Sequence, residues 1–295
     1  MVASQIGKKE RALRALNDLP PFSTVLKRVL ASLTSENISF VELGDLIEKD
    51  TVMAGNILHL VNSALYARRG TVNSVRFALS MLGIDKLRNV ALGMSVSRMW
   101  NQLRVPSAWS MARFNLHSAA VATFSDLLAQ RLPVNYPEGA FTAGLLHDLG
   151  SLLIAAGLTE EFGRVLETYE NALDSPGNSP IECERQILGF THADLSAEAL
   201  SVWNLPESIR VAVFHHHAPE SDWSEVPDGE IRLSRILDAA NRCVNSFGIT
   251  VLASRHANGD SALGILGSLG LDSGKTDKVL EEFKAEYDAI AGFFR

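Results

Sequence analysis

Apolar residues recur along most of the chain at the three- and four-residue spacing of amphipathic helices, and no stretch sustains the alternation of a half-buried strand. Phe22, Val25, Leu26, Val29, Leu30 and Leu33 trace one such face. It follows Pro20 and Pro21, which stand where missing N–H groups cost least. Ser39 and Glu42 have capping-box spacing and open a second helix, whose apolar stripe begins with Val41, Leu46 and Ile47. Asp50 is placed to cap a third, with Met53, Asn56, Ile57, Leu60 and Val61 on its inner face. Further starts are expected at Ser74, Asp85 and Ser107. Ser179-Pro180-Ile181-Glu182 combines an N-cap, a proline at the first helical position and a carboxylate at the third.

The pattern predicts an all-α protein. Proline-rich and polar stretches at 132–138, 174–179 and 218–228 read as linkers, and Pro106 marks a seam near 103–107. The expected organisation is a domain over 12–250, divided into an N-terminal helical subdomain (12–106) and a second helical subdomain (107–250). Two more helices are expected beyond Ser246, joined by a Gly/Ser-rich connection around 267–274, which makes 251–295 a C-terminal helical extension.

Composition narrows the function classes. With 295 residues, 46% of them hydrophobic, the chain buries a sizeable core. Every apolar run is interrupted before the ~18 residues that a membrane span needs, and residues 1–14 are polar and basic, unlike a secretory signal. Cys183 and Cys243 fall in no metal-type spacing and form no disulfide framework. A reduced, cytoplasmic protein without membrane contact is the expectation. The net charge of −7, with no basic block, argues against direct nucleic-acid binding, which draws on a basic footprint.

The candidate chemistry lies in histidines and carboxylates. His147-Asp148 ends the apolar run 143–146, and such a pair is costly to bury unless it is paired or coordinated. Both side chains can reach an ion lodged between helices; the alternative is a helix terminus bonded to backbone. Their N and O donors suit Zn, Fe, Mn or Ni without choosing among them. His117 shares a helical face with Ala120, Val121, Phe124 and Leu128, so its ring needs a partner, which a core hydrogen bond also supplies. His192 follows a capping Thr191 in the first turn of a helix running to Trp203, a position equally compatible with the surface. His215-His216-His217 follows the apolar run 211–214 and offers one or two ligands, or a polar helix end. Asp238 sits with Ser234, Arg235, Asn241 and Arg242 on a polar stripe that fits solvent as well as the edge of a polar site.

Taken in order, His117, His147-Asp148, His192, His216-His217 and Asp238 resemble the ligand order of the HD superfamily of metal-dependent phosphohydrolases. The N-terminal half is similar to the HDOD family, the HD-related output domain of bacterial signalling proteins. The similarity lies in Leu19-Pro20-Pro21-Phe22, Leu46-Ile47-Glu48-Lys49-Asp50, Val61-Asn62-Ser63-Ala64-Leu65-Tyr66 and Leu82-Gly83-Ile84. Trp203-Asn204-Leu205-Pro206 and His216-His217-Ala218-Pro219 continue it, so that it runs from Leu16 to Arg242.

This resemblance implies an HD-like helical domain preceded by an N-terminal helical subdomain. It implies one or two divalent transition-metal ions on His117, His147, Asp148 and Asp238, with His192, His216 and His217 matching the additional ligands of HD-GYP phosphodiesterases. Two departures weigh against turnover. Ser151 stands where those enzymes commonly carry a lysine suited to a substrate phosphate, and Ala218-Pro219 replaces the Gly-Tyr-Pro signature. The implied function is therefore a non-catalytic regulatory module that works through other signalling proteins or by self-association. The alternative is a metal-dependent phosphohydrolase or cyclic-dinucleotide phosphodiesterase with a nucleotide substrate.

Overall fold

Side-chain oxygens set most of the helix starts in the computed structural model, which describes residues 2–33, 38–66, 71–172, 179–252 and 261–294. The first five helices are α1 (Val2–Arg14), α2 (Thr24–Ala31), α3 (Phe40–Glu48), α4 (Thr51–Val61) and α5 (Val75–Trp100). Ser23, Ser39, Asp50 and Ser74 cap α2 to α5, each accepting the backbone N–H three residues on. Pro20 and Pro21 thus precede the cap, and Ser23 performs it. Val25, Leu26, Val29, Leu30 and Leu33 are buried as the periodicity predicts.

In α3 the buried stripe is Leu43 and Ile47, while Val41 is exposed, so the apolar face starts later than the sequence reading places it. Glu42 also departs from the capping box: its carboxylate accepts from Arg28 of α2 (2.6 Å). The start expected at Asp85 is instead a restart inside α5, where Gly83 has φ 74°. A residue without a Cβ adopts that left-handed backbone at little cost. Helices α2, α3 and α4 pack on α5.

The rest of the chain comprises α6 (Met111–Ala129), α7 (Ala140–Leu146), α8 (Leu149–Gly157), α9 (Thr159–Asn171), α10 (Pro180–Leu188), α11 (His192–Val202), α12 (Glu207–Phe214), α13 (Leu233–Ser246), α14 (Ala262–Gly267) and α15 (Ser273–Ile290). The helix expected from Ser107 begins at Met111, capped by Ser110. Helix α6 is the centre, packed by α7, α13 and α15. Helix α11 lies on α8, and α12 bridges α7, α11 and α13. The fold is all-α, and among the described residues the only β-type pairing is the isolated bridge Val134–Ile231, in the 132–138 stretch read as a linker.

The expected C-terminal helices are present, and α15 returns to α6. Arg131–Glu282 and Lys86–Glu286 ion pairs fasten it there. Helix α1 packs on α8 and α11 rather than on α2 to α4. The linker expected at 174–179 lies, Ser179 apart, outside the described residues.

One segment corrects the sequence reading of apolar runs. Pro137–Gly157 is long and apolar enough to cross a membrane, and 89% of its most apolar window is buried inside the protein. Within it, α7 ends and α8 begins at His147-Asp148. This apolar stretch is broken at a histidine and an aspartate.

Candidate metal centre

His147 is the C-cap of α7 and Asp148 the residue before α8, so the pair does occupy a helix terminus. Yet the Asp148 carboxylate makes no capping bond. Both side chains are buried and turn toward the rings of His117 from the middle of α6, His192 from the first turn of α11, and His216 just after α12. His217 stands beside them at the surface. Two groups of donor atoms result. One holds His117, His147 and Asp148; the other holds Asp148, His192, His216 and His217.

Asp148 belongs to both groups through different oxygens. Its Oδ2 lies 3.5 Å from His117 Nε2 and 3.3 Å from His147 Nε2. Its Oδ1 lies 3.2 Å from His192 Nε2 and 3.7 Å from His216 Nε2.

The outer nitrogens of the rings fix their tautomers. A backbone carbonyl only accepts, so the nitrogen facing it must carry a proton. His117 Nδ1 donates to Ile249 O (2.7 Å), His147 Nδ1 to Gly144 O (2.8 Å) and His216 Nδ1 to Val213 O (2.6 Å). His192 Nδ1 donates to the Glu184 carboxylate (2.8 Å), which also accepts the His192 backbone N–H (2.7 Å). In a neutral ring the remaining Nε2 is a lone pair, and all these Nε2 atoms point inward. His216 Nε2 and Asp148 Oδ1 are buried without any hydrogen-bond partner.

Electrostatics keep His117, His216 and Asp148 available as donors, while His192 holds a proton that a metal would displace. Burial pushes the His117 pKa down to about 4, against the opposing pull of Asp148. Burial also holds His216 well below the usual histidine range. For Asp148, burial works upward, but His147 and His192 outweigh it and keep the carboxylate ionised. Burial opposes the charge on His192 as well, and there Glu184 and Asp148 prevail and raise its pKa well above normal.

Inward-facing imidazole nitrogens around one carboxylate, with His192 releasing its proton on metal binding, make the donor set of a divalent transition-metal site, and a carboxylate oxygen offered to each group suits two ions. The residues therefore fit the implied metal. Asp238 is not part of either group. It lies one turn earlier on α13, and its carboxylate pairs with Arg242 (3.4 Å). The residues that α13 brings to the wall of the site are Asn241, Arg242 and Asn245.

Glu184 was not evident from motif order, although a signal existed. It shares a helical face with Ile187 and Leu188, and a carboxylate on an apolar stripe demands a partner, as the ring of His117 does. Gly150 is a second such residue. A Cβ there would come within 2.0 Å of the His192 carbonyl oxygen. The glycine lets α8 and the start of α11 touch, with its N–H donated to Ser196 Oγ (2.7 Å).

A cavity of about 260 Å³ opens onto His117, Asp148, His192 and His217. Ser151, Glu184, Asn241 and Arg242 line its polar side, and Trp109, Phe162, Val165 and Leu252 its apolar side.

Comparison with known proteins bears on the family and the fold. The HDOD domain model matches residues 19–219. A Treponema pallidum (strain Nichols) protein, itself uncharacterised, is 24% identical over an alignment of 221 residues that covers 70% of this chain; the chain spans 39% of that protein. An HDOD domain protein of unknown function from Geobacter sulfurreducens superimposes with a TM-score of 0.72 at 22% identity, over 97% of this chain and 96% of that one. A Shewanella amazonensis SB2B protein with a provisional phosphohydrolase name gives a TM-score of 0.68 at 20% identity, over 97% and 98% of the two chains. These structural likenesses establish the fold.

Proposed function

The chain belongs to the HDOD family, and on that premise we propose that it is a regulatory signalling module that works through protein contacts and whose HD-like half holds one or two divalent transition-metal ions. One observation carries the metal part: His117 Nε2 and His147 Nε2 face each other at 3.3 Å, both rings having spent their N–H on backbone carbonyls. His117, His147 and Asp148 would hold one ion, and Asp148, His192, His216 and His217 the other. The regulatory part is supported by the N-terminal helices. Phe40, Val41, Val52, Leu65 and Phe77 are exposed there, and large apolar side chains left in water favour association with a partner.

The cavity favours a second reading, a metal-dependent phosphohydrolase. It brings open volume directly onto the donor set, as a substrate requires. A bound divalent ion supplies Lewis acidity and a water of lowered pKa. The chain's own part would be to fix that site: Asp148 stays ionised between the groups, and Glu184 orients the His192 ring.

Elemental analysis of protein purified without chelator or added metal tests the first statement, and protein that is folded and free of metal would overturn it. A phosphodiesterase and phosphomonoesterase assay with Mn or Fe separates the two readings. Inert protein upholds the regulatory module. Turnover that Asp148→Ala abolishes would replace it with the enzyme.

A further inference from the structure

Ser151 leaves the site without the cation expected after His-Asp, yet a guanidinium reaches the same cavity from another helix. Arg242, on α13, lines the 260 Å³ cavity together with Ser151, His117, His192 and His217. It also lines a second, more open cavity of about 450 Å³, bounded by Asp238, Arg235, Glu220 and Ser268. Among the described residues, only His217 and Arg242 border both spaces. Arg242 thus stands at the passage between the donor set and solvent. Asp238, four residues back on the same helix, accepts from its Nη1 (3.4 Å) and limits where the side chain goes. This gives Asp238 a role that does not require it to touch metal.

The rest of the cavity wall points to the same kind of ligand. Asp148 serves the two metal groups and Glu184 is committed to His192, so neither is left to attract a cationic organic ligand. Two divalent ions on five imidazoles would face only these two carboxylates, leaving positive charge for an anion to balance. At the other end, Trp109 is buried with its indole N–H unpartnered, next to Phe162, Val165 and Leu252. These side chains offer a flat apolar wall.

We propose that Arg242, positioned by Asp238, is the anion-recognising residue of this site, and that the ligand is a phosphate ester whose organic part lies against Trp109 and Phe162. The planar guanidinium matches a phosphate with paired hydrogen bonds, which a serine at position 151 cannot do. The inference rests on the metal-centre reading, and its test separates the two.

Inorganic phosphate and phenyl phosphate would be titrated calorimetrically into the full chain, wild type and variants, after the metal content of each sample is measured. At equal metal content, Arg242→Gln is expected to weaken both probes at least tenfold, and Arg242→Lys to recover part of the loss. Asp238→Asn should weaken them less. Phenyl phosphate should bind wild type more tightly than inorganic phosphate. Unchanged affinity in Arg242→Gln overturns the role of Arg242, and equal binding of the two probes overturns the ester. Metal-free protein that still binds phosphate through Arg242 would fail the metal reading and uphold this one. Protein that holds no metal and binds neither probe would overturn both. Arg242 is half-exposed, so these variants are expected to fold, which thermal melts would verify.

Discussion

The Nε2 atoms of His117 and His147 lie 3.3 Å apart, and each ring has already donated its N–H to a backbone carbonyl. Two lone pairs at that distance repel unless a cation or proton lies between them. Asp148 Oδ2 completes the triangle, at 3.5 and 3.3 Å. Because Asp148 alone serves both donor groups, ligand substitutions should differ in stoichiometry. His117→Ala is expected to lose the ion of one group and retain the other, whereas Asp148→Ala loses both. Inductively coupled plasma mass spectrometry reads the difference, and equal metal content in the two variants would contradict a shared carboxylate.

Chelation should destabilise the fold, because the donors come from α6, the α7–α8 break, α11 and the end of α12. An ion bound only by the native state adds about 2.7 kcal/mol when its free concentration is a hundred times Kd. Thermal melts with and without a chelator are expected to show a lower Tm in the chelated sample, restored by adding metal back. A chelator-independent Tm would mean that the core stands without the ion.

Glu184 belongs to neither donor group but takes both the ring and backbone N–H of His192. A carboxylate in that position orients a ligand ring, and losing it typically costs about 10–100-fold in metal affinity. Glu184→Gln is expected to fall in that range in a competition with a coloured chelator, while the far-ultraviolet circular dichroism stays that of wild type.

How much of this was legible in the sequence follows the physics of each feature. Caps are local, so Ser39, Asp50, Ser74, Ser179 and Thr191 were found where they act. The order of His117, His147-Asp148, His192 and His216-His217 gave the residues that converge, since each is an unusual polar group on or beside an apolar run. Asp238 lies outside both donor groups: motif order carries no angular or axial information, and α13 brings Asn241 to the wall one turn later. Glu184 and the Ile249 carbonyl were invisible as partners, because only tertiary packing puts them beside His192 and His117. The packing of α1 on α8 and α11 was missed for a related reason: its outward polar residues mask the short buried face at Ala12.

Gly150 tests whether the close approach of α8 to α11 is what presents His192 to Asp148. A methyl group there would press on the His192 carbonyl and on the Ser196 backbone nitrogen, at 2.0 and 2.9 Å, and backbone cannot swing aside as a side chain does. Gly150→Ala should cost about 1–3 kcal/mol from overpacking, read from urea midpoints, and should weaken metal binding by the His192 group in particular. Wild-type stability in this variant would show that the two helices separate freely.

Asp50 caps α4 through the Met53 N–H (3.0 Å) and pairs with Arg98 of α5 (2.7 Å). Asp50→Ala removes both contacts, and loss of an N-cap alone costs about 0.5–2 kcal/mol. Partial burial pushes the Asp50 pKa up, but Arg98 and the cap N–H groups outweigh that and hold it below its ordinary 3.8. A carboxylate with a depressed native pKa binds fewer protons folded than unfolded, so stability rises with pH across the window between the two values. The contribution is complete above the unfolded pKa of about 4 and disappears as pH falls through the lower, folded value. Wild type and Asp50→Ala should therefore differ by a constant amount in urea midpoint from neutral pH down to about 5, and converge below about 4. A gap that stays the same at pH 3 would place the effect in cap geometry and not in the charge shared with Arg98.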